Sequence, residues 1–329
     1  MHATNLYRSF RNHGCRITDD LMYKGYRSLI VENELLLIHI LLDKGSEPIR
    51  FLHKPTDMDL IWVTRMGIQP AHALFPDYQT TYTGGWQEMF PEVSYTHELG
   101  DAMIHRGESA VTPWDYEILC DNEAEVRIKL TNRLRSMPFL IEKEICLKSR
   151  EAIFRINEKI TNESPTVELH ANWGHHLAYG KPFLTGATKV EFSEGAVVCN
   201  PVSGERWSWP HAKQEGQSID LSQMAASGTA RDLLYIEAPD YRYTLRRPED
   251  GICLNVSWDG NTWPYLWYWQ NFQPASGAPF YGCEYNIGLE MFNVIPKLKL
   301  AEAAEAGQTI VFPPRHTVSS WLTFEVTVS

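Results

Sequence analysis

Along most of this chain, hydrophobic and polar side chains alternate with a period of two. Glu125-Val126-Arg127-Ile128-Lys129-Leu130-Thr131 does so cleanly, and Ile153–Ile160 does so over most of its length. Alternation puts every second side chain on one face, so both segments predict half-buried β-strands. Phe139–Leu147, Val167–Trp173, Gly251–Trp258 and Trp321–Val328 are further strand candidates. Turn-forming residues separate them: Asp121-Asn122, Ser149-Arg150-Glu151, Asn162-Glu163-Ser164-Pro165 and Asp259-Gly260-Asn261. Between Trp114 and Trp173 the strands recur about every 12 residues, the spacing of an antiparallel meander. Helical periodicity is scarce; Lys297–Ala306, stopped by Gly307, is a candidate. No repeat, Ser/Gly-rich linker or block of like charge marks a boundary. Residues 1–329 therefore read as one large all-β domain, an antiparallel β-sandwich with few short helices. Two stacked sheets would present a face lined by every second side chain, where polar groups would form the natural site.

Charge and composition narrow the partners. The 329 residues carry 30 Lys and Arg against 41 Asp and Glu, a formal net charge of −11. Nucleic-acid phosphates and anionic membranes reward clustered cations, so neither is expected as a partner. The N-terminal segment lacks the basic and apolar regions of a secretion signal, and the longest apolar stretch, Leu35–Leu42, is too short to cross a bilayer. Six scattered cysteines without a Cys-x-x-Cys pair read as reduced thiols, so the expected location is cytoplasmic. Aromatic residues make up 12% of the chain, which suits β-cores and also flat, half-apolar ligands such as sugar rings.

Three regions look unlike core: Tyr82–Val93 with Met103–Ser109 shortly after it, Asn172–Leu184, and Gly288–Pro296. Each sets an ionisable residue among aromatics and glycines, where a charge is costly unless paired or used. His175 and His176 are adjacent on a predicted strand and point to opposite faces, so at most one faces a given cleft. A metal site of His105, one of these histidines and Glu290 lacks the close His-x-His or His-x-x-x-His spacing of compact sites, and no metal is expected. The chain has no Gly-x-Ser-x-Gly elbow and no Gly-x-Gly-x-x-Gly or Gly-Lys-Ser/Thr loop, which argues against a serine nucleophile and nucleotide chemistry.

Taken together and in order, these segments resemble the aldose 1-epimerase (galactose mutarotase-like) superfamily. The matching pieces are Gly84-Gly85 with Phe90-Pro91, His105-Arg106-Gly107, His175-His176-Leu177-Ala178-Tyr179-Gly180, and Leu289-Glu290. Leu41–Arg50 with Lys54-Pro55 resembles the family's opening strands, and Ala301–Gly307 followed by Pro313-Pro314-Arg315-His316 its tail. The similarity spans almost the whole chain. Departures are Arg106 inserted between His105 and Gly107, Leu177 where the family has Pro, and Met291 where Pro follows the glutamate. They suggest an outlying branch, to which substrate identity does not carry over.

The resemblance implies a galactose mutarotase-like supersandwich and an isomerase acting on a small-molecule monosaccharide, without a cofactor. It implies Glu290 as general base on the anomeric hydroxyl and His176, rather than His175, as general acid at the ring oxygen, with His105 assisting. Such acid–base pairs open a hemiacetal by removing one proton while delivering another. Secondary candidates for sugar binding are His175, Arg50, Glu88, Asp259 and Trp267, the last sharing a strand face with Trp269. Arg106 and Lys54 are candidates for holding an anionic group. The alternatives are a non-catalytic carbohydrate-binding protein and a different sugar enzyme on the same fold. A glycosidase would want two flanking carboxylates, and Glu290 is the one in a convincing context. The sequence does not fix the oligomeric state, a homodimer being among the options.

Overall fold

The computed structural model describes residues 11–69, 82–93, 97–99, 102–104, 107–273 and 280–329, with backbone alone for 97–99 and 102–104. Strands dominate these residues and form three large antiparallel sheets. The first is a five-stranded meander of Arg16–Tyr23, Tyr26–Glu32, Leu36–Leu41, Glu47–His53 and Met58–Asp59. The second has eight strands in the spatial order Lys189–Glu191, Arg242–Arg247, Ile252–Trp258, Thr317–Val328, Ile153–Asn162, Phe139–Lys148, Glu125–Arg133 and Asp115–Asp121. The third has seven, in the order Arg206–Ser208, Val197–Cys199, Leu234–Glu237, Tyr265–Phe272, Tyr285–Phe292, Gly174–Gly180 and Trp86–Met89.

The meander expected from Trp114 onward forms half of the eight-stranded sheet. Its four strands lie side by side in chain order, with the register that alternation dictates. Val126, Ile128 and Leu130 are buried, as are Phe154, Ile156 and Ile160, while Arg127, Lys129, Arg155, Asn157 and Lys159 face outward. Each such aliphatic or aromatic side chain contributes roughly 1.5–3 kcal/mol on leaving water. Thr317–Val328 then pairs with Ile153–Asn162 on one side and Ile252–Trp258 on the other, joining the meander to the rest of the sheet.

The seven-stranded sheet packs on the inner face of the eight-stranded one. Trp86 lies 4.4 Å from Phe324 and 6.1 Å from Phe154 between ring centroids, and the Tyr179 and Tyr243 hydroxyls share a 2.6 Å hydrogen bond across the layers. The five-stranded sheet adjoins at the Trp86–Met89 edge, where Glu47–His53 packs, and adds Phe51 to the same aromatic cluster, 5.7 Å from Phe154. One continuous core runs through all three sheets.

Local chemistry shortened two of the expected elements. Val167–Trp173 yields only the strand Leu169–Ala171, because the amides of Asn172 and Trp173 donate to the Pro91 carbonyl and the Asn293 side chain rather than to a ladder. The expected helix is confined to Leu300–Glu305. Lys297 sits in the left-handed region at φ 76°, which breaks the first turn, and Gly307 at φ 67° closes the end as the sequence indicated. No described helix is long and apolar enough to cross a membrane.

The strand Gly174–Gly180 is clamped at both ends. A Cβ on Gly174 would overlap the Phe292 ring and the Met291 carbonyl, and one on Gly180 would overlap the Trp62 indole. Gly174→Ala is therefore expected to lose about 1–3 kcal/mol, as other overpacked core positions do. Gly186→Ala, whose Cβ would meet open space, should stay within about 0.5 kcal/mol of the parent in urea denaturation.

Candidate active site

Strand geometry separates the two adjacent histidines. The register on either side, His175 opposite Met291 and Ala178 opposite Gly288, sets His176 across from Glu290 on the neighbouring strand. Residues directly opposite share a face. His176 Nε2 and Glu290 Oε1 lie 3.3 Å apart, with side chains 6% and 3% exposed. The edge of Tyr82 meets the His176 imidazole at 5.5 Å, Trp269 lies 5.8 Å from it, and Phe280 packs 5.5 Å from Trp269 and 6.3 Å from Tyr82. The His176–Glu290 pair thus sits among aromatic rings on the face of the seven-stranded sheet turned away from the eight-stranded one.

Glycines make room for this arrangement. A Cβ on Gly288 would run into the Glu290 carboxylate and the Trp269 ring, so the bare backbone there lets both side chains lie over the strand. Gly84 and Gly85 take φ of 80° and 74°, and their chain threads between Trp62 and the histidine strand. The Gly85 amide donates to the Trp62 carbonyl at 2.5 Å, and the Gly85 carbonyl accepts from the Ala178 amide at 2.9 Å. That path delivers Tyr82 to the imidazole edge. Gln87, opposite His176 on the other neighbouring strand, donates to Glu47 Oε1 at 2.6 Å, and Thr83 donates to the same oxygen at 2.5 Å. Lys44 pairs with the other Glu47 oxygen.

His175 points the opposite way, into the space between the layers, and is fully buried. Trp86 Nε1–H can only donate, and it meets His175 Nδ1 at 3.0 Å, so that nitrogen must be an acceptor. The imidazole is therefore neutral with its proton on Nε2, which donates to Glu158 Oε2 at 2.9 Å. Glu158 also lies 3.6 Å from Lys143 Nζ. Lys143 meets Glu88 Oε2 at 2.6 Å, and Trp173 Nε1 donates to Glu88 Oε1 at 3.2 Å. Two buried carboxyls thus share one ammonium. Burial raises the pKa of Glu88, and raises that of Glu158 to about 7 against the attraction of Lys143. Burial lowers His175 to about 3, in agreement with the hydrogen-bond argument for a neutral ring.

The structure brings His176 and Glu290 together and places the other candidates elsewhere. His175 and Glu88 belong to the interlayer network, on the side of the sheet that a molecule bound at His176 does not reach. Trp267 shares a face with Glu290, but its ring packs on Phe292 at 4.3 Å and its Nε1–H donates to the Val294 carbonyl at 2.6 Å, which makes it core. Its partly exposed neighbour Trp269 is the ring that meets His176. Arg50 pairs with Asp59 at 3.1 Å on the five-stranded sheet, and Lys54 pairs with Glu32. Asp259 is a turn former, its carboxylate accepting from the Asn261 amide and the Thr262 hydroxyl. His105 and Arg106 lie outside the described residues. Among the described residues no three His, Cys, Asp or Glu side chains are grouped to hold a metal ion.

Sequence reasoning passed over Lys143 and Glu158, although the signal was present. Both occupy inward positions of alternating strands, between Ile141 and Ile145 and between Ile156 and Ile160, where a charge demands a partner. Tyr82, Phe280 and the Gly288 gap carry no comparable signal.

The network makes a signed prediction. His175, depressed from 6.5 to about 3, adds stability that is lost as pH falls through that interval. Glu158, raised from 4.5 to about 7, subtracts stability as pH rises between those values. Between roughly pH 5 and 6 the unfolded chain holds one of these two protons and so does the folded chain, and the slopes cancel. Glu158→Gln removes the second term, so its unfolding free energy should climb with pH there by up to about 1.4 kcal/mol per unit relative to the parent. Denaturant titrations at a series of pH values give the slope difference; parallel profiles would contradict the assignment.

The sequence matches no protein-family model and no curated protein. Solved structures do match in three dimensions. A galactose mutarotase-like protein from Clostridium acetobutylicum superimposes with a TM-score of 0.68 at 13% identity, over 96% of this chain and 99% of its own. A galactose mutarotase-like protein from Lactobacillus casei gives 0.61 at 14%, over 91% and 100%. A galactose mutarotase related enzyme from Lactobacillus acidophilus gives 0.61 at 14%, over 91% and 97%. At such identities the likeness speaks to architecture: this chain has the galactose mutarotase-like fold.

Proposed function

We propose that the protein is a mutarotase that interconverts the α and β anomers of a monosaccharide, with Glu290 and His176 as its base and acid. The observation that carries this reading is the 3.3 Å separation of His176 Nε2 and Glu290 Oε1 on one face of a sheet. The two oxygens that must be served, the anomeric hydroxyl and the ring oxygen, are bonded to the same carbon. An acid and a base a hydrogen-bond length apart can reach both at once.

In the forward step Glu290 takes the proton from the anomeric hydroxyl and His176 gives its proton to the ring oxygen. The bond between that oxygen and the anomeric carbon breaks, and the carbon becomes a carbonyl. After rotation about the adjacent carbon–carbon bond the roles reverse. His176 recovers the proton as the ring oxygen attacks the opposite carbonyl face, and Glu290 returns its own to the new hydroxyl. No electron or atom is gained or lost. Tyr82, Trp269 and Phe280 supply apolar surface for the C–H face of a sugar ring. His105 is assigned the assisting role at the ring oxygen on the family resemblance.

Glu290→Gln and His176→Asn should each lower the acceleration of anomer exchange by about 10²–10⁴-fold, read by NMR exchange spectroscopy on glucose, galactose, other aldoses and their 6-phosphates. No acceleration by the parent protein with any of these sugars would overturn the reading; sugar binding without exchange would support a carbohydrate-binding protein instead. Gly288→Ala is a separate check on geometry. Its methyl would displace the Glu290 carboxylate, and exchange should fall about 10²-fold while the urea midpoint changes much less.

A further inference from the structure

The outer face of the eight-stranded sheet carries a feature that the acid–base pair does not use. Outward positions there are almost all polar or charged, as befits a solvated sheet face. Trp321 breaks the pattern. Of the 11 tryptophans it alone is exposed, at 42%, and it stands in mid-strand within Thr317–Val328, near the middle of the sheet, rather than on a loop. A threonine or lysine would satisfy that position in water. The indole lies in a groove of about 470 Å³.

Two cross-strand rows line the groove. In one, Lys129 stands opposite Glu144, Glu144 opposite Asn157 and Asn157 opposite Trp321; in the next, Glu142 stands opposite Lys159, which stands opposite Ser319. The outward side chains of the lining therefore combine one flat apolar surface with an amide, a hydroxyl, two ammoniums and two carboxylates. Hydrogen-bond donors and acceptors are both present, and the charges are of both signs. Four strands at about 4.8 Å spacing extend it to roughly 14 Å across the sheet, an elongated rather than a cupped shape.

We infer that this groove is a second carbohydrate site, one that takes a neutral oligosaccharide chain across the strands with one ring stacked on Trp321. A pyranose presents an apolar C–H face to an indole and rings it with hydroxyls that each donate and accept, which is the complement of this lining. A polyanion meets Glu142 and Glu144, and a polycation meets Lys129 and Lys159. The site lies on the opposite layer from His176 and Glu290 and does not depend on their assigned chemistry.

The test uses the full chain labelled with 5-fluorotryptophan, the Trp321 resonance being identified by its absence in Trp321→Phe. Neutral gluco-, galacto-, manno- and xylo-hexaoses are titrated to about ten times a Kd of about 1 mM, an ordinary strength for so open a site. The expected result is a saturable shift of the Trp321 resonance with at least one glycan, weakened about 10-fold or more by Asn157→Ala. The same shift should persist in Glu290→Gln, so that loss of anomer exchange and loss of glycan binding are read separately. A Trp321 resonance that stays fixed with every glycan overturns the proposal, as does one that shifts only with protein concentration, which would make the face a contact between copies. A shift unaffected by Asn157→Ala also overturns it, and the parent's urea midpoint in that variant confirms that the fold is intact.

Discussion

The two-residue period of a β-strand governs this molecule at every level. It sends alternate side chains of the meander into the core and out to solvent, and it does the same to His175 and His176 within a single peptide unit. One imidazole is committed to the buried network between the layers, the other to the outer face beside Glu290. Because the neighbours are covalently joined, anything that fixes the orientation of His175 also fixes the strand from which His176 projects. Trp86, Glu158, Lys143 and Glu88 do this fixing, and they come from both layers of the sandwich.

That network is expensive in isolation. Two carboxyls, an ammonium and an imidazole are removed from water, and a buried charge left without a partner is worse than an apolar replacement. Each member here has a counterpart, and the imidazole avoids the cost by staying neutral. The arrangement specifies register as much as it stabilises. A slip of one residue along Gly174–Gly180 would turn His176 inward against Glu158 and leave Glu290 facing a different side chain.

Much of the architecture was legible in the sequence because alternation reports burial directly. Glu125–Arg133, Phe139–Lys148, Ile153–Asn162 and Ile252–Trp258 lie within two residues of where their patterns put them. Segments whose backbone bonds to side chains or loops, such as Asn172-Trp173, were not legible, since nothing in their composition distinguishes them from a strand. The opposed faces of the two histidines followed from periodicity alone, and the proximity of Glu290 followed only from the resemblance, because pairing between strands more than a hundred residues apart leaves no local trace. Arg50, Asp259 and Glu88 show the converse. Each is the right residue type in a suggestive context, and each is answered locally by an ion pair or a turn that spacing does not reveal.

The place of Thr317–Val328 in the middle of the eight-stranded sheet has a consequence for how the protein reaches this state. Four hairpin-linked strands, Asp115 to Asn162, are neighbours in sequence and can associate early, because their loops close cheaply. Their next neighbour in space arrives from about 150 residues downstream, and until it docks, the growing chain displays Ile153–Asn162 as a bare edge ten residues long. An open strand of that length is an invitation to pair with another chain. During synthesis this half-sheet is therefore the species most in need of chaperone cover, and a ribosome stalled before Thr317 would release a product prone to aggregate even though every residue it carries is correct.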